Sequence, residues 1–317
     1  MDTNRKIILL ENEVIEPGEK KLIKILVGSL PSGTKIYIHV FIIRSMHPGP
    51  SILLVGGMHG DEINGTEIVR RIIDQYPPSS LNRGTLICVP LLNVFGFIHF
   101  MREVAEGKDV NRSFPGSSKG SLAARIAYAL QKKILPLADN LIDFHTGGDH
   151  RYNYPQIRYS PDDEHSLKLA KSFSAPFLLV SKLRNNSLRQ LASKQKIPSI
   201  TFEGGEGSRF DGYSIAKALE GVARVLFDHK MISASSHVSM DSKMLQRSRW
   251  IRAHASGIFI WSRSSGAWIN KGEILGTISD PDNSKKEYVR SKESGYIIGH
   301  NNAPVVNTGD ALFHVAS

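Results

Sequence analysis

The 317-residue sequence has only one cysteine and no long apolar run. A single thiol excludes an intramolecular disulfide, and no run approaches the roughly 18 apolar residues that a transmembrane helix needs. Near the N-terminus only four consecutive residues, 7–10, are apolar, which is too short for the apolar region of a signal peptide. We therefore expect a cytoplasmic protein in a reducing compartment.

Acidic residues are also fewer than basic ones, with 30 Asp and Glu against 40 Lys and Arg, for a net charge of +10. Such an excess accompanies binding to nucleic acid, to acidic membranes or to small anions. Here the charge is spread along the chain, and no recognised nucleic-acid motif accompanies it. We expect no nucleic-acid and no membrane partner, and a bias toward a small anionic substrate.

The pattern of predicted elements changes near residue 235. Before it, short apolar or β-rich runs alternate with segments of helical periodicity, which predicts an α/β fold with its chemistry at the carboxyl ends of the strands. The predicted strands cover 35–43, 51–55, 85–90, 141–144 and 198–202. The predicted helices cover 62–75, 121–134, 187–192 and 211–230.

After residue 235, short strands and glycine turns replace the helices, and an internal repeat is visible. Residues 257–260 resemble residues 295–298, and residues 270–275 resemble residues 307–312. Two similar hairpin units predict a small pseudo-symmetric β domain. We assign residues 1–235 to a catalytic domain and residues 236–317 to this β domain.

The strongest candidate for a catalytic site is the segment Gly-Gly-Met-His-Gly-Asp-Glu, which contains His59 and ends at Glu62. A glycine-rich turn between a strand and a helix can direct both side chains to one point, and imidazole and carboxylate are normal zinc ligands. His145, at the end of another predicted strand, supplies the third ligand that a catalytic zinc needs. Asp143, two residues earlier on the same face, could accept the other ring N–H of a ligating histidine.

Two further segments carry candidate residues. Asn111 and Arg112, in a loop ending Pro-Gly, can present an amide and a guanidinium to a substrate carboxylate; the alternative is a loop arginine fixed by Asp109. Glu203 ends the predicted strand 198–202 and is well placed as a general base, whereas Glu206 is predicted to be a loop carboxylate.

These segments, in this order, resemble the succinylglutamate desuccinylase/aspartoacylase family of zinc carboxypeptidase-like hydrolases. The resemblance covers roughly residues 35–317 and depends on Gly-Gly-Met-His-Gly-Asp-Glu, Asp-Val-Asn-Arg-Ser-Phe-Pro-Gly, Ile-Asp-Phe-His-Thr-Gly-Gly and Thr-Phe-Glu-Gly-Gly. It implies an α/β fold with a mixed β-sheet flanked by helices and a smaller C-terminal all-β, barrel-like domain. It also implies one Zn2+ per chain on His59, Glu62 and His145, with Glu203 as general acid/base.

The resemblance further implies how substrate is bound. Asn111 and Arg112 match the pair that binds the substrate carboxylate, and Arg102 lies where the family usually places an arginine that polarises the scissile carbonyl. Arg189 resembles an arginine that contacts the second carboxylate of dicarboxylic substrates, although a surface position on a helix is the alternative. Arg158 is a further candidate for the pocket.

The C-terminal domain also resembles a lipoyl/biotinyl-type barrel. Carrier domains of this type present a modified lysine in a tight hairpin between their halves, and the connection 280–286 lacks the expected flanking pattern. We expect a lid or an oligomer contact instead of a carrier. The sequence leaves the oligomeric state open, with a homo-oligomer among the alternatives.

The function implied is zinc-dependent hydrolysis of the amide bond of an N-acyl amino acid or a similar small carboxylate. A metallocarboxypeptidase acting on a short peptide would use the same metal site, and an esterase would differ only in the leaving group. A non-catalytic binding protein is the alternative of a different class, and the intact set of metal ligands argues against it.

Overall fold

The computed structural model describes residues 8–233, 241–282 and 284–317. Its strands, in chain order, are β1 (Ile8–Leu10), β2 (Glu13–Ile15), β3 (Lys20–Ser29), β4 (Lys35–Arg44), β5 (Ser51–Val55), β6 (Thr85–Val89), β7 (Asn140–Gly147), β8 (Arg151–Tyr159), β9 (Phe177–Val180), β10 (Ser199–Glu206), β11 (Lys243–Leu245), β12 (Ser248–Arg252), β13 (Gly257–Trp261), β14 (Trp268–Ile269), β15 (Ile274–Ser279), β16 (Lys286–Arg290), β17 (Gly295–Asn301), β18 (Val305–Val306) and β19 (Ala311–Ala316). Its helices are α1 (Ile63–Gln75), α2 (Val94–His99), α3 (Leu122–Ala129), α4 (Glu164–Phe173), α5 (Leu188–Lys194) and α6 (Gly212–Asp228).

Ten strands follow one another across a mixed sheet in the order β12-β19-β17-β8-β10-β7-β5-β6-β4-β3. At its centre β6, β5, β7 and β10 are parallel, and antiparallel β4 and β8 flank them. Helices α1, α4 and α6 pack on one face, and α3 and α5 pack on the other. Every residue of β5 and β6 is buried, as expected for parallel strands that are covered on both faces.

The helices begin where side chains satisfy free backbone amides. Ser121 accepts a hydrogen bond from the amide of Ala124 at the start of α3, and Ser187 accepts one from Gln190 at the start of α5. Both predicted helix starts are confirmed. The predicted helix to residue 134 differs in form, because the α-helix ends at Ala129 and the chain continues as a π-helical turn, Leu130–Ile134.

Among the described residues from 241 to 317 the regular elements are all strands, four of which form a separate sheet in the order β16-β15-β13-β18. The internal repeat is confirmed in the turns: the amide of Asn270 donates to Glu273 Oε2 at 2.9 Å, and that of Asn307 to Asp310 Oδ2 at 2.7 Å. β14 pairs with β17 whereas β18 pairs with β13, so each half of the repeat adds a short strand to the other.

The C-terminal strands continue the central sheet, because β17 pairs with the edge of β8 and β19 and β12 follow it. The predicted boundary at residues 235 and 236 lies outside the described residues and stays a prediction. The connection 280–286 includes Asn283, which also lies outside them. Over the described ranges, no helix has the length and apolar character needed to cross a membrane.

Candidate metal centre and active site

The candidate metal ligands lie at the carboxyl edge of the central parallel strands. His59 lies in the turn between β5 and α1, Glu62 is the residue that precedes α1, and His145 lies near the end of β7. The turn packs directly on α2, since a Cβ added at Gly60 would lie 1.8 Å from the carbonyl carbon of Gly96. Only glycine fits there, which explains part of the glycine-rich pattern in the sequence.

The three candidate ligands are buried and converge. Each offers one ligand atom, and these atoms all lie within 4.8 Å of one another. Nδ1 of His59 lies 2.6 Å from Oε1 of Glu62, and Nδ1 of His145 lies 2.8 Å from Oε2 of the same carboxylate. Both rings therefore present the same nitrogen to one point, where a metal ion would replace these hydrogen bonds.

The far nitrogen of each ring meets a second carboxylate. Nε2 of His145 lies 2.8 Å from Oδ2 of Asp143, and Nε2 of His59 lies 3.2 Å from Oδ1 of Asp109. A carboxylate in this position fixes the tautomer and the orientation of a ligating imidazole. Two oriented imidazoles and one carboxylate form a donor set that fits a catalytic zinc ion with an open position.

Electrostatics at the centre favour positive charge. Burial would raise the pKa of Glu62, but His59 and His145 outweigh burial and hold the pKa well below its ordinary value. Burial would lower the pKa of His145, but Asp143 and Glu62 outweigh it and raise the pKa well above its ordinary value. A bound divalent cation would supply this positive charge and displace the ring protons.

Asp109 was not among the predicted site residues. The sequence suggested it only as a partner of Arg112, whereas in the structure its carboxylate contacts His59 and also accepts from Arg102 Nη2 at 2.9 Å and from the amide of Asn111 at 2.7 Å. The only feature of the sequence that could have marked Asp109 as a site residue is its position as the first residue of the Asp-Val-Asn-Arg segment. In the fold, Asp109 contacts His59 in the turn between β5 and α1, which we call the metal turn. Sequence spacing does not reveal this contact.

Arg102 lies against the metal centre. Its Nη1 is 3.2 Å from Oε1 of Glu62, while Nε and Nη2 contact Asp109. The side chain keeps 32% of its surface exposed, so part of the guanidinium can reach an oxygen atom of a bound molecule. This position is compatible with the polarising role that the family resemblance implies.

Asn111 and Arg112 lie in a short 3₁₀ turn, Val110–Arg112, which directly follows Asp109. We call this turn the rim of the candidate active site. Oδ1 of Asn111 accepts from the amide of Leu188 at 2.9 Å, which leaves its Nδ2 to donate to a ligand. Arg112 donates to the carbonyl of Asn111. Burial is the largest influence lowering the pKa of Arg112; the charge of Asp109 opposes it, and the like charges of Arg102 and Arg184 add to it. An anion bound here would relieve that repulsion.

Glu203 lies opposite His145 in the parallel register of β10 and β7. The prediction that it ends its strand is wrong, because β10 continues to Glu206 after a register shift. Gly205, with φ of 84°, permits this bulge. Oε1 of Glu203 is 3.1 Å from Nη1 of Arg158, so this predicted pocket arginine is paired with the candidate base.

Two further residues complete the surroundings of Glu203. Asn153, which no sequence pattern marked as a site residue, donates from Nδ2 to Oε2 of Glu203 at 2.8 Å. Arg189 is not a freely exposed helix residue: its Nη2 donates to the carbonyl oxygens of Ser181 and Lys182, and its Nη1 is buried without a partner among the described residues. Burial, followed by the charge of Arg158, lowers the pKa of Arg189 to about 10.

Glu206, which was predicted to be a loop carboxylate, is instead the last residue of β10 and is buried. Its Oε2 accepts from Nδ2 of Asn302 at 2.8 Å. Asn302 lies in the connection between β17 and β18. The two glutamates of the Glu-Gly-Gly-Glu segment therefore have different surroundings. Glu203 faces the metal side of the sheet edge, and Glu206 is held by the C-terminal part of the chain.

The chain is similar to known proteins in both sequence and fold. An N-alpha-acetyl-L-2,4-diaminobutyric acid deacetylase from Halomonas elongata is 25% identical over 283 residues, which are 84% of this chain and 82% of the relative. Two solved structures have a TM-score of 0.85 and 22% identity. One is a succinylglutamate desuccinylase/aspartoacylase from Rhodobacter sphaeroides, with 96% of each chain covered. The other is the product-bound ectoine utilization protein EutE (DoeB) from Ruegeria pomeroyi, with 95% of this chain and 96% of that one covered.

The two structural matches establish the fold, which is the mixed sheet with flanking helices and a smaller C-terminal β domain that the sequence predicted. The model of the succinylglutamate desuccinylase/aspartoacylase catalytic domain matches residues 48–228, more than half of the chain. That segment contains the metal turn, the turn with Asn111 and Arg112, and both glutamates of β10. The chain therefore belongs to the succinylglutamate desuccinylase/aspartoacylase family, whose members include deacylases.

Proposed function

We propose that this protein is a zinc-dependent deacylase that hydrolyses the amide bond of an N-acyl amino acid or a similar small carboxylate. The observation that carries the proposal is the buried convergence of His59, Glu62 and His145 beside Glu203. The Halomonas relative, a deacetylase of an N-acetylated diamino acid by name, supports this reaction class.

The metal supplies one part of the chemistry. A zinc ion held by His59, Glu62 and His145 would polarise the acyl carbonyl and make the attacking water more acidic. Asp143 and Asp109 hold the two imidazoles with Nδ1 toward the centre. They thereby keep the ligand set in the geometry that the metal requires.

The protein side chains supply the rest. Glu203, next to His145 in the sheet, takes a proton from water as the water oxygen bonds to the acyl carbon. Arg102 donates hydrogen bonds to the oxygen that gains negative charge. When the carbon–nitrogen bond breaks, Glu203 returns the proton to the departing amine, so the products are a carboxylic acid and a free amine.

Substrate orientation comes from the rim. Nδ2 of Asn111 and the guanidinium of Arg112 are available to bind a carboxylate, and Arg189 adds positive charge near Glu203. A carboxylate bound on the rim would place the neighbouring amide toward the metal side. This arrangement favours N-acyl amino acids over neutral amides.

A panel of substrates tests the reaction class on zinc-loaded protein. We expect hydrolysis of N-acyl amino acids, with much weaker hydrolysis of the same compounds whose α-carboxylate is converted to a carboxamide. Short peptides with free C-termini test the metallocarboxypeptidase alternative, and O-acyl analogues test the esterase alternative. Faster cleavage of peptides than of every N-acyl amino acid would replace the proposal with the first alternative.

Arg112→Ala is expected to lower kcat/KM by about 10- to 150-fold, the effect of losing a charge-assisted contact of roughly 1.5–3 kcal/mol. The loss should appear mainly in KM, since Arg112 binds the carboxylate and does not contact the reacting carbonyl. Arg71→Ala is a matched control, because Arg71 pairs with Glu67 on the outer face of α1. Equal kcat/KM values for the two variants would remove Arg112 from the substrate site.

A further inference from the structure

The C-terminal β domain reaches the surroundings of Glu203, although every predicted site residue precedes residue 235. Strand β17 runs antiparallel to β8, and Gly299 lies opposite Asn153 in their register. Asn153 is the residue whose Nδ2 donates to Glu203 Oε2 at 2.8 Å. One side chain therefore connects the C-terminal domain to the candidate base.

Gly299 leaves no room for a Cβ beside that side chain. A Cβ added at Gly299 would lie 2.8 Å from Oδ1 of Asn153 and 3.0 Å from the carbonyl oxygen of Tyr152. The amide of Asn153 thus lies between the backbone of β17 and the carboxylate of Glu203. Its Nδ2 faces the carboxylate and its Oδ1 faces Gly299, so a shift of β17 would change the hydrogen bond to Glu203.

A second contact holds the segment that follows Glu203. Asn302 donates from Nδ2 to Oε2 of Glu206 at 2.8 Å, and its own Oδ1 accepts from Nε1 of Trp261 at 2.9 Å. Glu206 is only 5% exposed. Because Glu203 and Glu206 flank the bulge of β10, fixing Glu206 restrains the backbone on the far side of the bulge.

We propose that the C-terminal β domain positions the proton-transferring carboxylate, with Gly299 acting through Asn153 and Asn302 acting through Glu206. These are positioning residues, since neither lies among the groups assigned to contact substrate. The proposal rests on the proposed function, because it takes Glu203 as the group that moves the proton. It gives the C-terminal domain a part in catalysis beyond covering the site or joining subunits.

Gly299→Ala tests the first contact in the full-length, zinc-loaded protein. The added methyl group must displace Asn153 or the carbonyl of Tyr152, and displacements of about 1 Å at a reacting group cost up to about 100-fold in rate. We expect kcat to fall by about 10- to 100-fold, with KM and the zinc content close to those of the unmodified protein. A purely structural role would lower the melting temperature without this selective loss of kcat.

Gly295→Ala is the matched control on the same strand. Its added Cβ would lie 2.5 Å from the carbonyl oxygen of Ala316, so the clash faces β19 and not β8. We expect a lower melting temperature, with kcat per folded, zinc-loaded chain retained. Equal losses of kcat in the Gly299→Ala and Gly295→Ala variants would overturn the proposal, as would full kcat in folded Gly299→Ala protein.

Asn302→Ala tests the second contact and covers the case in which Gly299→Ala protein does not fold. We expect kcat to fall by about 10-fold with zinc retained, whereas Asn301→Ala should keep its kcat, since Asn301 Nδ2 donates to Ala311 within the C-terminal strands. Unchanged kcat in Asn302→Ala protein would remove this residue from the proposal. Full activity of Glu203→Gln would instead refute the proposed function, so the two failures are distinguishable.

Discussion

Replacing His59 or His145 with alanine is expected to remove most of the zinc and to reduce hydrolysis to background. Each substitution leaves two protein ligands where a catalytic zinc normally has three. Both side chains are almost fully buried. The substitution therefore leaves a buried space in which only water, and no other protein ligand, could take the place of the imidazole. Metal analysis after dialysis should therefore show about one zinc per chain in the unmodified protein and a small fraction of that in either variant.

His165→Ala is the matched control for these two substitutions, because His165 is exposed on α4 and is not one of the clustered ligands. It should keep both the zinc and the activity. Asp109→Asn and Asp143→Asn separate ligation from orientation, since each removes a carboxylate that holds a ring without removing a ligand. Full zinc occupancy and full activity in both His59→Ala and His145→Ala protein would contradict the assignment of the metal centre.

The metal turn was predictable because its signals are local. A buried strand, a glycine-rich turn and a helix follow one another within residues 51–75, and the observed bounds of β5 and α1 agree with the predicted ones to within one residue. The side chains that begin α3 and α5 were equally visible, because an N-cap serine acts on an amide three residues away. His145 could be added because it ends an apolar run that predicts a central strand.

Asp109 and Asn153 were not predictable in the same way. Asp109 lies 50 residues from His59 in the chain, and only the packing of its loop against the metal turn brings the two together. Asn153 lies in β8, where Pro155 interrupts the alternating pattern that would otherwise predict a strand. β8 is ordered by pairing with β10 and β17, so its place depends on strands that are distant in sequence.

The C-terminal domain has one feature that the sequence predicts and one that it does not. Its repeat was visible because each half carries the same local turn, with Gly272 and Gly309 both in the left-handed region at φ of 86° and 96°. The way in which the domain joins the catalytic sheet was not visible, because backbone pairing between β17 and β8 imposes few requirements on side-chain type. The close approach of Gly299 to Asn153 has no signature beyond the glycine itself.

Glu203→Gln is expected to keep the zinc and to lower kcat by about 10²- to 10⁴-fold, the usual contribution of general acid–base catalysis. The amide has nearly the size of the carboxylate but cannot accept a proton from the attacking water. It also keeps only one acceptor oxygen and no charge, whereas in the carboxylate Oε2 accepts from Asn153 and Oε1 forms an ion pair with Arg158. The ion pair with Arg158 will therefore be lost, so the melting temperature and zinc content should be measured together with kcat and KM.

Glu206→Gln shows which carboxylate transfers the proton, because Glu206 lies three residues further along the same strand with the same side chain. Its contact with Asn302 needs only an acceptor, which glutamine provides through its amide oxygen. We expect this variant to lose far less kcat than Glu203→Gln does. The opposite order, with Glu206→Gln inactive and Glu203→Gln near the unmodified rate, would move the proton-transfer role to Glu206. High activity in both variants, with zinc bound, would exclude proton transfer by either carboxylate.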